Sequence, residues 1–131
     1  MQLKIETSKR VELIDITSAV QEEVKKSEIA EGICFISTRH TTTGIIINEN
    51  ESRLKEDIIE LLNKLVPADA GYRHDSIDNN ADSHLRAVLI GSSEALPVSE
   101  GKLELGTWQR IFFAGMDGPR SRTVNITLLR A

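Results

Sequence analysis

Cysteine is nearly absent from this chain. Cys34 is the only one, so no disulfide can join two parts of it, and a reducing cytoplasm is the expected compartment. Its neighbours Ile33 and Phe35 mark it for core packing. Aromatic residues are also few, one Trp, one Tyr and three Phe, which leaves little to stack against unpaired bases. The Lys and Arg residues are scattered under a net charge of −4. No basic stripe follows a phosphate backbone, so nucleic acid is not an expected partner. Long apolar runs are missing too: neither the opening MQLKIETSKR nor the run at 45–47 approaches a bilayer span. No secretion segment and no membrane are expected.

What remains describes an ordinary globular chain. Its 131 residues, 40% hydrophobic and 27% charged, suit one core and one domain over 1–131. Leu3 and Ile5, then Val11, Leu13 and Ile16, fall mostly on a two-residue period, which predicts two antiparallel strands joined near Ser8. Asp15, Thr17 or Ser18 then caps a short helix carrying Val20 and Val24. Gln21 stands where a capping box places its second member, and Gly32 marks the expected end. Ile33 to Ser37 and Ile45 to Asn48 are compact β-branched runs around a polar loop at 38–44.

Leu54, Ile58, Leu61, Leu62 and Leu65 recur at helical spacing until Pro67. Residues 68–82 are poor in apolar side chains and long for a connection, which is the pattern of a functional loop. A helix through Leu85, Val88 and Leu89 follows, with Asp82 or Ser83 as its cap and Gly91 at its end. Strands are expected at 95–98, 103–105, 107–114 and 123–129, with a turn at Asp117, Gly118 and Pro119. Strands at both ends with helices between them predict an α+β fold, a curved or two-layered sheet with two to three helices.

The chemistry concentrates in a few polar stretches. His40 precedes three threonines, His74 lies in Tyr-Arg-His-Asp, and His84 ends Asn-Asn-Ala-Asp-Ser-His. Three imidazoles are the ligand set of one type of catalytic zinc site, although spacings of 34 and 10 residues match no local zinc motif. Separate surface histidines explain the same letters. Asp75, Asp78 and Asp82 are placed to orient imidazole N–H groups or to cap helices and turns. Asn48, Glu49 and Asn50 close a buried strand, where Glu49 suits a general base and Asn50 equally suits a helix cap. Arg120 and Arg122 follow a tight turn and form a candidate phosphate clamp. Gln109 sits in a strand whose alternation is blurred, so either face is open to it.

Taken in order, His40-Thr41-Thr42, Asn48-Glu49-Asn50, Tyr72-Arg73-His74-Asp75, Ser83-His84-Leu85, Leu89-Ile90-Gly91-Ser92, Leu105-Gly106-Thr107-Trp108-Gln109 and Asp117-Gly118-Pro119-Arg120 resemble the YjbQ family, also called the secondary thiamine-phosphate synthase family. The resemblance runs from about Ser8 to Leu129. It implies a sandwich-like sheet of mixed or antiparallel strands, a cytoplasmic homotrimer, and a site close to a subunit boundary. The implied activity joins a pyrimidine pyrophosphate to a thiazole phosphate. The implied catalytic residues are His40, His74, His84, Glu49 and Gln109. Thr42, Asn48, Asp75, Asn80, Asp82, Arg120 and Arg122 would bind a small phosphorylated metabolite, and the three histidines would hold a divalent metal, Zn²⁺ or Mg²⁺. One departure stands out. Members commonly carry Glu where this chain has Gly115, so Glu49 or Asp117 would have to stand in. A zinc-dependent hydrolase and a metabolite-binding protein without turnover are the competing readings.

Overall fold

A computed structural model describes residues 1–131. Eight strands, three α-helices and one 3-10 turn follow in the order β1 (Gln2–Glu6), β2 (Glu12–Asp15), α1 (Thr17–Ser27), β3 (Gly32–Thr38), β4 (Thr43–Glu49), α2 (Ser52–Leu65), the 3-10 turn Arg73–Ser76, α3 (Ala81–Ile90), β5 (Ser93–Ser99), β6 (Lys102–Leu103), β7 (Gln109–Gly115) and β8 (Ser121–Arg130). The strands form two sheets, ordered β1-β8-β3-β5-β6 and β2-β7-β4. Every pairing is antiparallel.

The core lies between the two sheets. Ile5, Cys34, Ile36, Leu96, Val124 and Ile126 face Ile45, Ile111 and Phe113, and Val20 and Val24 of α1 join the same cluster. β7 is buried on both faces, because Phe112 and Ala114 look the other way and pack with Leu13 under Ile58 and Ile59 of α2 and Ile90 of α3. A strand covered on both sides needs apolar residues at consecutive positions, which is why its alternation is blurred in the sequence.

Several local expectations are corrected. β1 and β2 do not pair with each other: β1 pairs β8 and β2 pairs β7, in different sheets. The end of β1 is held by the β7–β8 turn, where Thr7 N donates to Arg120 O at 3.0 Å and Arg120 N donates to Thr7 Oγ1 at 2.8 Å. The chain then crosses between sheets over Ser8, whose N and Oγ donate to the Glu12 carboxylate.

Asp15 supplies the side-chain bond at the start of α1, accepting from Thr17 N at 2.9 Å. Gln21 is no capping partner, since it binds Gly101 O and Leu103 N across the fold. α1 stops at Glu28, in the left-handed region, before Gly32. Glu51, not Asn50, caps α2.

α3 departs most from its sequence reading. Its buried residues are Ala81, Asp82, Ser83 and Arg86, while Leu85, Val88 and Leu89 face outward. Its start is satisfied by Asp75 Oδ1, which accepts from Ala81 N at 3.0 Å. Asp82 and Ser83 are therefore not its caps. Gly91 does end it, at φ 92°. Close packing of α3 on β4 depends on Gly44, where a Cβ would stand 2.5 Å from Ile90 Cγ2.

Candidate functional site

The loop at 39–42 links the two sheets, because β3 belongs to one and β4 to the other. Thr38 and Thr43 hydroxyls, 2.7 Å apart, fix its two ends. His40 is thereby turned onto the start of β8, where its Nε2 accepts from Thr123 N at 3.0 Å. Its Nδ1 lies 3.3 Å from Arg122 Nη1, and Arg122 Nη2 donates to Thr42 Oγ1 at 3.0 Å. Burial, together with the Arg122 charge, lowers the His40 pKa from its ordinary value. Both causes disfavour the imidazolium.

His74 stands on the 3-10 turn and His84 on the first turns of α3. Their rings meet edge to face at 79°, with centroids 4.9 Å apart. His74 Nε2 is 3.0 Å from Asn80 Oδ1, and Asn80 Nδ2 donates to Asp117 Oδ2 at 2.8 Å. Asp117 in turn accepts Arg120 Nε at its carbonyl, 2.8 Å, and pairs with Arg120 Nη2 at 3.5 Å.

This chain has a direction. A carboxylate only accepts, so the Asn80 amide nitrogen must face Asp117 and its oxygen must face His74. In the neutral ring Nε2 then carries the proton, and Nδ1 is left with its lone pair free. Asn80 is buried while His74 is exposed, so a fixed scaffold orients an accessible imidazole.

His84 connects two clefts. One, of about 360 Å³, is lined by Tyr72, Arg73, His74 and His84. The other, of about 510 Å³, is lined by Arg39, His40, Thr41 and His84. The three histidines thus line two clefts that His84 joins. They do not form one ligand set: no group of three or more His, Cys, Asp or Glu side chains is arranged to hold a metal ion. His40 commits its Nε2 to a backbone amide, which leaves the proton of the neutral ring on Nδ1 and no lone pair for a metal. The expected three-imidazole site for Zn²⁺ or Mg²⁺ does not fit the residues of a single chain.

The remaining candidates divide sharply. Thr42, Asn80, Arg120 and Arg122 belong to the histidine face. Asp75 is there as well, with Oδ1 occupied by the start of α3. Asp82 is withdrawn from the imidazoles altogether: it is bound by Arg10 at 2.9 and 3.0 Å and stands 3.1 Å from Arg86 Nη1. The Arg10 hydrogen bond is the main reason its pKa is lowered, against the effect of burial.

Asn48, Glu49 and Gln109 lie at the opposite end of the β4–β7 pair. Thr43 is paired with Gly115 at the histidine end and Glu49 with Gln109 at the other, six steps or about 20 Å of strand. Gln109 Oε1 accepts from Gly106 N at 2.8 Å and Asn48 Oδ1 from Glu49 N at 2.8 Å, both local contacts.

Gly115 is buried in β7, and a Cβ there would stand 3.0 Å from Thr7 Cγ2. Thr7 fills the direction a glutamate side chain would take. Glu49 cannot stand in for that carboxylate within one chain, whereas Asp117, two residues on, does enter the polar network.

Arg10 and Arg86 were not among the sequence candidates. The spacing of Asp82 and Arg86, four apart on one helix, announces a pair. Nothing in the sequence announces Arg10, which arrives from 72 residues away.

The family model described as "UPF0047 protein YjbQ-like" matches residues 1–131. A UPF0047 protein of Methanothermobacter thermautotrophicus is 55% identical over 127 residues, covering 97% of this chain and 89% of its own length. The UPF0047 protein YugU of Bacillus subtilis is 38% identical over 129 residues, covering 97% and 96%. A crystal structure of a YbjQ-like protein of unknown function from Sulfolobus solfataricus P2 superposes with a TM-score of 0.98 at 39% identity, over 100% of this chain and 96% of that one. The chain belongs to the UPF0047, YjbQ-like family.

Proposed function

We propose that this UPF0047 protein is an enzyme acting on a small phosphorylated metabolite at the face that carries His40, His74 and His84. The observation that supports this best is the directed chain from Asp117 through Asn80 to His74. It holds an exposed imidazole in one tautomer with Nδ1 free, which is what a general base requires. Arg120 and Arg122 stand beside it as the positive charges for phosphate oxygens.

The specific reaction proposed is the joining of a pyrimidine pyrophosphate to a thiazole phosphate. The thiazole nitrogen forms a bond to the pyrimidine methylene, the C–O bond to pyrophosphate breaks, and pyrophosphate leaves with the electron pair. Positioning of the two partners and neutralisation of the leaving group are the main demands of such a step. The guanidiniums serve the second; the bond exchange itself transfers no proton, so His74 serves it through its free Nδ1 as a hydrogen-bond acceptor that orients the substrates. The test is purified protein incubated with both precursors, with and without Mg²⁺ or Zn²⁺. Thiamine phosphate is the expected product, and its absence under all conditions overturns this reaction. A metabolite-binding protein without turnover draws support from Gly115, and would bind precursor without releasing pyrophosphate.

The homotrimer is proposed on the same footing. A cyclic trimer needs two different patches that meet head to tail. Among the exposed apolar residues, Leu85, Val88 and Leu89 cluster on α3, and Ile33, Phe35 and Leu129 on the outer face of the five-stranded sheet. The register pairs Ile33 with Leu129 on that sheet, so the second patch is continuous. The first borders His84, which supports a site near a subunit boundary.

A further inference from the structure

The contact between His40 and Arg122 contains a mismatch of donors. A backbone N–H only donates, so the bond from Thr123 N requires His40 Nε2 to be the bare nitrogen. The single proton of the neutral ring then sits on Nδ1. The group facing Nδ1 at 3.3 Å is Arg122 Nη1, and a guanidinium has donors only. Two N–H groups therefore face one another with no acceptor between them.

Protonating the ring does not relieve this, since the imidazolium would turn a second N–H onto Thr123 and set one cation against another. Arg122 is also short of a counter-charge. Arg120 is paired with Asp117, whereas no carboxylate lies within ion-pair distance of Arg122, whose guanidinium donates to Thr42 Oγ1 and faces His40. A half-buried cation and a fixed N–H that converge in this way are completed by an anion with several acceptor lone pairs.

We infer that the His40 Nδ1–H and the Arg122 guanidinium form a two-donor cradle for the oxygens of a phosphate or pyrophosphate group, with His40 a neutral hydrogen-bond donor to the ligand. This rests on the reading that the histidine face takes a phosphorylated metabolite, and it places the phosphate. It also divides the histidines: His40 binds the anion, and His74, with Nδ1 free, orients the substrates. Thr42 holds the guanidinium in the orientation that the cradle needs.

The test uses the intact chain and inorganic pyrophosphate, phosphate and acetate, with binding followed by calorimetry and the imidazole tautomers by long-range ¹H–¹⁵N spectra. His40 is expected as the Nδ1–H tautomer before any ligand is added. Pyrophosphate binding is expected to weaken at least tenfold in Arg122→Gln and in His40→Gln. Glutamine can still accept from Thr123 N while losing the donor at the Nδ1 position. His40→Asn, whose amide reaches the Nδ1 position, is expected to recover part of the loss. Thermal melts of each variant separate lost binding from lost folding, and the tautomer measurement on the unmutated protein stands even if a variant fails to fold.

An Nε2–H tautomer at His40 overturns the inference. So does acetate binding as tightly as pyrophosphate, or an absence of pyrophosphate binding to the unmutated protein. Pyrophosphate binding that survives both substitutions but falls in Arg120→Gln overturns the placement alone. It leaves the phosphorylated-metabolite reading standing, which the precursor assay decides separately.

Discussion

Asp82 and Arg86 stand one turn apart on the face of α3 that looks into the protein, with Oδ2 of one 3.1 Å from Nη1 of the other and both side chains almost wholly buried. Arg86 also gives Nε and Nη2 to Val66 O at 3.0 and 2.8 Å, so it ties α3 to the end of α2. Arg10 reaches the same Asp82 Oδ2 at 2.9 Å. One carboxylate thus neutralises two guanidiniums beneath the functional face. Removing one member of a buried ionic cluster leaves charge uncompensated, which is far costlier than losing a surface pair.

Asp82→Asn is therefore expected to destabilise the fold by about 3 kcal/mol, the lower part of the range for a broken buried pair, as read from chemical denaturation. The folded carboxyl is held below its ordinary range, chiefly by Arg10, so its contribution is complete above the unfolded value near ~3.9 and is lost as pH falls through the folded value. Asp82→Asn should flatten that acid limb. An unchanged midpoint and limb would remove Asp82 from the list of structural anchors.

Asn80→Leu keeps the approximate volume at a buried position and deletes both ends of the relay. His74 is expected to lose its preference for the Nε2–H tautomer, becoming a mixture in ¹⁵N spectra, and any turnover is expected to drop by ~10²-fold, the lower contribution of positioned acid–base groups. A pure Nε2–H tautomer in the variant would show that Asn80 does not set it.

Val88, in the last turn of α3, is 77% exposed although it is apolar. Val88→Lys on α3 and Phe35→Lys on the sheet are each expected to convert the proposed trimer to monomers in sedimentation velocity, because a head-to-tail contact is lost from either side. A monomeric unmutated protein at tens of micromolar would sink the assembly argument.

Burial alone pushes the Cys34 thiol up to about 11. Since the thiolate is the reactive form, alkylation near neutral pH is expected only through unfolding, with native protein protected by more than ~100-fold against denatured chain. Rapid labelling of native protein would contradict the packing described for β3.

Much of this architecture is legible in the chain. Val124, Ile126 and Leu128 alternate with Thr123, Asn125 and Thr127 because one face of β8 meets the core, and Pro67 and Gly91 end helices for backbone reasons that need no neighbours. Strand pairing was harder to read. β1 and β2 are adjacent in sequence and look like a hairpin, yet partners about a hundred residues or more along the chain take them into different sheets. α3 misleads for a related reason, since its apolar residues repeat correctly for a helix while its inward face is ionic.

By itself the sequence determined the fold class, the elements and most of their limits, because propensity, period and turn chemistry act over a few residues. It also marked the candidate segments, through the family likeness that their order displays. Tertiary structure alone decided which candidates meet. It put His40 against Arg122 and Thr123, joined His74 to Asp117 through Asn80, spent Asp82 on two arginines, and set Glu49 and Gln109 about 20 Å away along β4 and β7. Hydrogen-bond direction, which names the free nitrogen of each imidazole, depends on which donors and acceptors face it. Those partners come from chain segments that local patterns cannot relate.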